Sequence, residues 1–96
     1  MRGKHKMQLR GLANSITQRH LLGKATPDDG FYESLDKALE AHELIKVGLL
    51  ESVESSPKEI AKEISEKLGA EVVQIIGRVI VLYRQSKKNP RIKLED

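Results

Sequence analysis

The apolar residues of this chain change their spacing along its length, and the order of these changes restricts the folds open to it. From Phe31 to His42 they recur every three or four residues, which is the spacing of an amphipathic helix. From Leu44 to Leu50 they alternate with Lys46 and Gly48, which is the spacing of a strand. A helix followed so closely by a strand favours a fold that mixes the two.

Six further segments carry helix or strand patterns. In chain order they are a helix at 4–13, a strand at 19–22, a helix at 57–68, strands at 72–76 and 79–83, and a short edge strand at 92–94. Ser56-Pro57 and Gly69 supply the start and stop signals of the third helix. The order α-β-α-β-α-β-β predicts an α/β fold, a compact sandwich of three helices on a mixed sheet of about four strands.

Size and composition limit the architecture and the compartment. The 96 residues, of which 39% are hydrophobic, are enough for one domain over residues 1–96 and for one modest core. The chain has no Cys, which fits a reducing compartment. Its basic N-terminus lacks the apolar segment of a signal peptide, and the run at 79–83 is far too short to span a bilayer. We therefore expect a cytoplasmic protein that does not bind a membrane.

Charge is divided unevenly along the chain. Residues 1–27 hold six Lys or Arg and no acid, residues 28–71 hold twelve acids and five bases, and residues 72–96 hold six bases and two acids. If the two basic ends meet in the fold, they form one cationic face of the kind that binds nucleic acid. Charge runs are also commonly no more than solvated surface, so charge alone leaves the question open.

The sequence offers little for catalysis. His5, His20 and His42 are scattered and lack the spacing of a metal site. Gly23-Lys24 is not a P-loop, although backbone N–H groups before a helix can face a phosphate. The alternative for this pair is a plain strand-to-helix turn. We expect no enzyme activity, no cofactor and no small-molecule substrate.

Aromatic residues are too few for one common mode of RNA binding. Phe31, Tyr32 and Tyr83 are the only three, and Phe31 belongs to the predicted buried stripe. An aromatic stacking platform on the sheet is therefore not expected. Binding would depend mainly on phosphate contacts and would weaken with salt.

Several segments read together resemble a known family. They are Gly3-Lys4-His5-Lys6 with Leu9-Arg10, Gly23-Lys24, residues 38–47, residues 73–77 and residues 80–84. In this order and spacing they look like the single-domain YhbY-type proteins of the CRM domain family (chloroplast RNA splicing and ribosome maturation). The resemblance implies a domain similar to the C-terminal domain of bacterial translation initiation factor three. It also implies RNA binding, association with ribosomal RNA in precursors of the large ribosomal subunit, and no enzyme activity.

The resemblance also singles out a loop. The family's RNA-contact loop is a GxxG motif, usually Gly-Lys-Gly-Gly, and here it is Gly23-Lys24-Ala25-Thr26. A β-branched Thr26 resists positive φ and adds bulk where the backbone would approach RNA. We expect a loop of altered shape. The Thr26 hydroxyl touches a phosphate or caps the next helix, and Asp28 and Asp29 are also available as that cap.

The candidate RNA contacts are basic residues and this loop, which we expect to form one cationic face. They are Arg2, Lys4, Lys6, Arg10, Gly23, Lys24, Ala25, Thr26, Lys46, Arg84, Lys87 and Lys88. Two other functions remain open. One is a general module that binds DNA. The other is a protein-interaction adaptor that uses acids of the middle helices, namely Glu33, Asp36, Glu40, Glu59, Glu63 and Glu66.

Overall fold

The structure, a computed structural model, describes residues 2–95 and confirms the predicted order of elements. The helices and strands are α1 (Gly3–Ala13), β1 (His20–Leu22), α2 (Asp29–His42), β2 (Leu44–Leu49), α3 (Pro57–Leu68), β3 (Glu71–Ile76) and β4 (Val79–Tyr83). The fold is α/β, with three helices and a four-stranded mixed sheet. None of the helices within residues 2–95 combines the length and apolarity that a bilayer crossing requires.

The sheet has the strand order β1-β2-β4-β3. β1 and β2 are parallel, as expected when α2 connects them, and β4 pairs antiparallel with both β2 and β3. β1, β2 and β3 therefore all end at one edge of the sheet, which we call the loop end (residues 23–26, 50–53 and 77–78). We call the opposite edge, with residues 40–43 and 84–92, the tail end.

Two apolar clusters lie on opposite faces of the sheet because strand residues alternate in direction. The larger cluster joins α2 and α3 to Ile45, Val47 and Ile80. The smaller cluster joins α1 to Val81 and Tyr83. The sheet is thus covered by α2 and α3 on one face and, in part, by α1 on the other.

The ends of α2 and α3 follow from local chemistry. The Asp28 carboxylate accepts the N–H of Phe31 at 2.8 Å and caps α2. The Ser56 hydroxyl accepts the N–H of Glu59 at 3.2 Å at the start of α3, as its sequence predicts. At the other end Gly69 takes a left-handed conformation with φ of 65°.

Three local predictions are wrong, namely the edge strand at 92–94 and the burial of Phe31 and of His42. Residues 92–94 form no strand, since the N–H of Ile92 is donated to the Glu43 carboxylate and the carbonyl of Lys93 accepts from Gln8. The buried stripe of α2 is also rotated slightly from the predicted one. Tyr32 is buried, whereas Phe31 is half-buried and His42 is exposed.

Candidate nucleic-acid interface

The two basic ends of the chain meet on the α1 side of the sheet. The Gln8 amide donates to the carbonyl of Lys93 at 2.6 Å and accepts the N–H of Glu95 at 2.9 Å. Below these bonds, Leu9 of α1 packs in the same apolar cluster as Ile92. A single cationic surface required that the two basic ends meet in the fold. They do meet, where α1 contacts the C-terminal tail.

A buried carboxylate fixes the path of this tail. Glu43 is 0% exposed and accepts the backbone N–H groups of Ser86, Arg91 and Ile92 at 2.6–2.7 Å. Burial raises the pKa of Glu43, but these three donors and the nearby Arg91 outweigh it, so the pKa is lowered. The ionised side chain is the form that holds the tail.

Glu40, one helical turn earlier, holds the next part of the tail. It accepts the Ser86 hydroxyl at 2.6 Å and the N–H groups of Lys87 and Lys88 at 3.1 Å. These bonds lower the pKa of Glu40 to about 2. Because the carboxylate engages the backbone, the side chains of Lys87 and Lys88 remain exposed. Glu40 is thus an internal anchor rather than part of an open acidic surface.

The side chains of Arg84 and Lys46, both predicted RNA contacts, bind groups in other parts of the protein. The Arg84 side chain is 15% exposed and binds the Asp36 carboxylate at 2.7 Å and the Leu68 carbonyl at 3.1 Å. Lys46 is half-buried, and its amine donates to the Ile16 carbonyl at 2.8 Å. Both side chains tie elements together.

The loop of residues 23–26 lies at the loop end, where hydrogen bonds from Ser52 and Arg78 hold the loop and the segment beside it. The Ser52 hydroxyl donates to the Gly23 carbonyl at 2.6 Å. The Arg78 guanidinium donates to the carbonyls of Leu49, Leu50 and Val53 at 2.9–3.2 Å, which fixes the segment beneath the loop. A five-donor guanidinium is well suited to hold three carbonyls at once.

The chemistry at the start of α2 differs from a simple phosphate site. The Lys24 amine hydrogen-bonds to the Asp28 carboxylate, which raises the pKa of Lys24 and lowers that of Asp28. Since Asp28 caps α2, a carboxylate already occupies the positive end of this helix. The cap is Asp28 and not Thr26. Glu43 is the one residue other than Gly with positive φ in residues 2–95, so Ala25 and Thr26 have ordinary backbone conformations.

The predicted contacts fall into two groups. Gly23, Lys24, Ala25 and Thr26 precede α2, whereas Arg84, Lys87 and Lys88 lie beside its last turn. The 14 residues of α2 separate these groups by about 20 Å. α1, which follows Arg2 and carries Lys4, Lys6 and Arg10, contacts the tail through Gln8. Lys6 itself borders α3. The predicted contacts therefore do not form one continuous cationic face from the loop to the tail.

Two histidines that are distant in sequence line one cavity. His20 and His42 border a space of about 340 Å³ between the end of α1, β2 and Ile92. Burial and the neighbouring His42 lower the pKa of His20. Within residues 2–95 no three His, Cys, Asp or Glu side chains come close enough to hold a metal ion.

The sequence interpretation missed the residues that position the site. Gln8, Glu43 and Arg78 act on backbone groups far away in the chain, so no local spacing reveals them. One signal existed for Glu43, because it joins a helix directly to a strand without Gly or Asn at the junction.

Comparison with known proteins agrees with this architecture. The CRS1 / YhbY (CRM) domain matches residues 1–84. The chain belongs to the CRM domain family. It is 38% identical over 92 residues to the probable RNA-binding protein YqeI of Bacillus subtilis, with 96% of each chain covered. It is also 34% identical over 85 residues to an RNA-binding protein of Haemophilus influenzae, covering 88% of this chain and 86% of that protein.

A solved structure extends the comparison to three dimensions. The solution structure of the hypothetical protein SAV1595 from Staphylococcus aureus, which is proposed to bind RNA, matches with a TM-score of 0.82. The two chains are 40% identical, and the match covers 99% of each. The tail beyond residue 84 therefore lies outside the family match but inside the structural one.

Proposed function

We propose that this CRM-family chain is a cytoplasmic RNA-binding protein that assists assembly of the large ribosomal subunit by binding precursor ribosomal RNA. The observation that carries the proposal is the meeting of the basic helix α1 with the basic tail, which Gln8, Glu40 and Glu43 hold in place. Relatives that bear the name RNA-binding protein support it.

The proposed contact surface has two parts. At the tail end, α1 (Arg2, Lys4, Lys6, Arg10) and the tail (Lys87, Lys88) contact phosphates. At the loop end, residues 23–26 contact a second stretch of the RNA. Arg84 and Lys46 position these parts, because their charged groups already bind protein oxygens.

Binding measured as a function of salt tests the RNA contact. We expect Lys6→Glu with Arg10→Glu to weaken binding to a ribosomal RNA fragment and to flatten its salt dependence, because phosphate contacts release counterions. The matched control, Lys37→Glu with Lys67→Glu, makes the same change in charge on α2 and α3. An equal loss in both variants would assign the effect to net charge and remove α1 from the site.

Sedimentation of a cell lysate tests the role in assembly. We expect the protein to migrate with free large-subunit particles at low salt and to leave them at high salt. Migration at the top of the gradient under both conditions would contradict the role in ribosome assembly, whatever the result with purified RNA.

A further inference from the structure

An apolar row crosses all four strands at the loop end of the sheet. Strand pairing places Leu21 beside Gly48, Gly48 beside Val79, and Val79 beside Ile76. We call these four residues the apolar row. With strands about 4.8 Å apart, it is about 14 Å long.

The row faces the α1 side of the sheet, where α1 does not cover it. The chain neighbours Leu22 and Ile80 belong to the cluster under α2 and α3, so the row points the other way. The cluster under α1 includes Val81, two residues farther along β4, but none of the row. Leu21 is 58% exposed and Ile76 is 54% exposed. Val79 is half-buried and Gly48 is buried, so the exposed apolar surface lies at the two ends of the row.

The charged residues placed beside the row are basic. A Cβ on Gly48 would lie 3.0 Å from Leu21 Cδ2 and 3.7 Å from Arg19 Cδ, so both side chains lie across the glycine. Lys46 precedes Gly48 by two residues and shares its face. An apolar surface with basic residues beside it complements a ligand that has both apolar faces and negative charge.

The row continues into the loop of residues 23–26. Leu21 is two residues from Gly23 on the same strand. Beside it, the half-exposed Leu50 approaches within 3.2 Å of where a Cβ on Gly23 would lie, and its N–H donates to the Leu22 carbonyl at 3.0 Å. A strand of RNA at the loop can therefore pass directly onto the row.

Resting on the proposed function, we infer that the apolar row binds the faces of unpaired RNA bases next to the phosphates held at residues 23–26. Duplex RNA keeps its base faces inside the stack, and only an unpaired segment can present them to Leu21, Val79 and Ile76. The contact is aliphatic, which explains how this sheet can accept bases without an aromatic platform. A neutral protein segment would also cover the row, but it would carry no negative charge to complement Arg19, whose side chain lies beside Gly48.

Methyl NMR of the full chain with two RNA probes tests this inference. The probes are an unpaired 12-nucleotide RNA of mixed sequence and a blunt RNA duplex of the same length. We expect ring currents of the bases to shift the methyl signals of Leu21, Val79 and Ile76 with the unpaired RNA and not with the duplex. The methyls of Ile64, which is fully buried in the cluster under α2 and α3 on the opposite face of the sheet, serve as the internal reference.

Affinity measurements on variants provide the second readout. Leu21→Ser and Ile76→Ser should each weaken binding of the unpaired RNA about five- to tenfold and leave duplex binding unchanged. Lys37→Ser, a control on the outer surface of α2 whose side chain is 77% exposed, should bind both probes as the wild type does.

The outcomes separate this inference from the proposed function. If the wild type binds RNA but the row methyls do not shift and the two variants bind normally, the inference is wrong and the proposed function stands. Binding of neither probe at low salt removes both. Row signals that shift with protein concentration in the absence of RNA would assign the row to a second copy of this chain.

Discussion

Glu40 and Glu43 show how two carboxylates can hold a basic tail without pairing with its basic side chains. Their partners are the Ser86 hydroxyl and backbone N–H groups of the tail, so Lys87 and Lys88 keep their charge for a ligand. Charge-assisted bonds of this kind are stronger than bonds between neutral groups. The tail is therefore fixed by its backbone at these residues, and the side chains of Lys87 and Lys88 are exposed.

This arrangement predicts a dependence of stability on acid. The pKa of Glu40 is about 2 in the fold against a usual 4.5, so its bonds stabilise the protein above pH 4.5. That contribution is lost as the pH falls from 4.5 towards 2. We expect Glu40→Gln to lower the urea midpoint at pH 7 and to reduce the further fall of the midpoint between pH 5 and pH 3.

The matched control lies on the same helix. Glu33 contacts the exposed Lys37 amine at 3.4 Å, and we expect Glu33→Gln to keep the wild-type fall of the urea midpoint. If Glu40→Gln also kept the full fall, the anchoring role of Glu40 would be refuted. No sequence pattern could have predicted that role, because the partners of Glu40 lie 46–48 residues farther along the chain.

At the scale of the elements, local chemistry predicts most of what forms. The Ser56-Pro57 start and the Gly69 end of α3 are both observed where the sequence placed them. The rotation of the α2 stripe towards Tyr32 was not predictable from spacing alone, because it depends on where α3 packs. The absence of a strand at 92–94 also depends on contacts that are distant in the sequence. The backbone groups of Ile92 and Lys93 bond to the side chains of Glu43 and Gln8.

Two glycines, one directly after α3 and one within α1, should respond oppositely to replacement by Ala. Gly69 has φ of 65° and open space around it, so Gly69→Ala should cost about 1–2 kcal/mol of unfolding free energy through backbone strain alone. Gly11 lies within α1, also with open space, and Gly11→Ala should add about 0.5–1 kcal/mol. Urea unfolding of both variants measures this, and a change of the same sign in both would contradict the roles assigned to the two glycines.

At the scale of the whole molecule, the order of charges along the sequence does not determine where those charges lie in the fold. It predicted that the basic ends could meet, and the fold brings α1 and the tail together. It also suggested that the loop of residues 23–26 would join them in one face. The length of α2 prevents this, because the loop precedes the helix and the tail passes its end.

The basic groups at the loop and at the tail lie about 20 Å apart. We therefore expect the contribution of each group to RNA affinity to depend on the length of the RNA. On a 20-nucleotide RNA that reaches both groups, Lys24→Ala and the pair Lys87→Ala with Lys88→Ala should each lower affinity clearly. On a four-nucleotide RNA, which occupies one group at a time, each variant alone should change affinity little, and only the combined variant should abolish binding. Fluorescence anisotropy at constant salt measures both cases.

The control for this comparison is Lys37→Ala with Lys67→Ala, which removes similar charge from the outer surface of α2 and α3 and should affect neither RNA. Equal and large losses on the four-nucleotide RNA from both test variants would mean that loop and tail contact the same nucleotides. Because α2 is a continuous helix of 14 residues, that result would require the tail to leave Glu40 and Glu43 on binding. The RNA complex would then differ from the free protein where Glu40 and the buried Glu43 hold the tail.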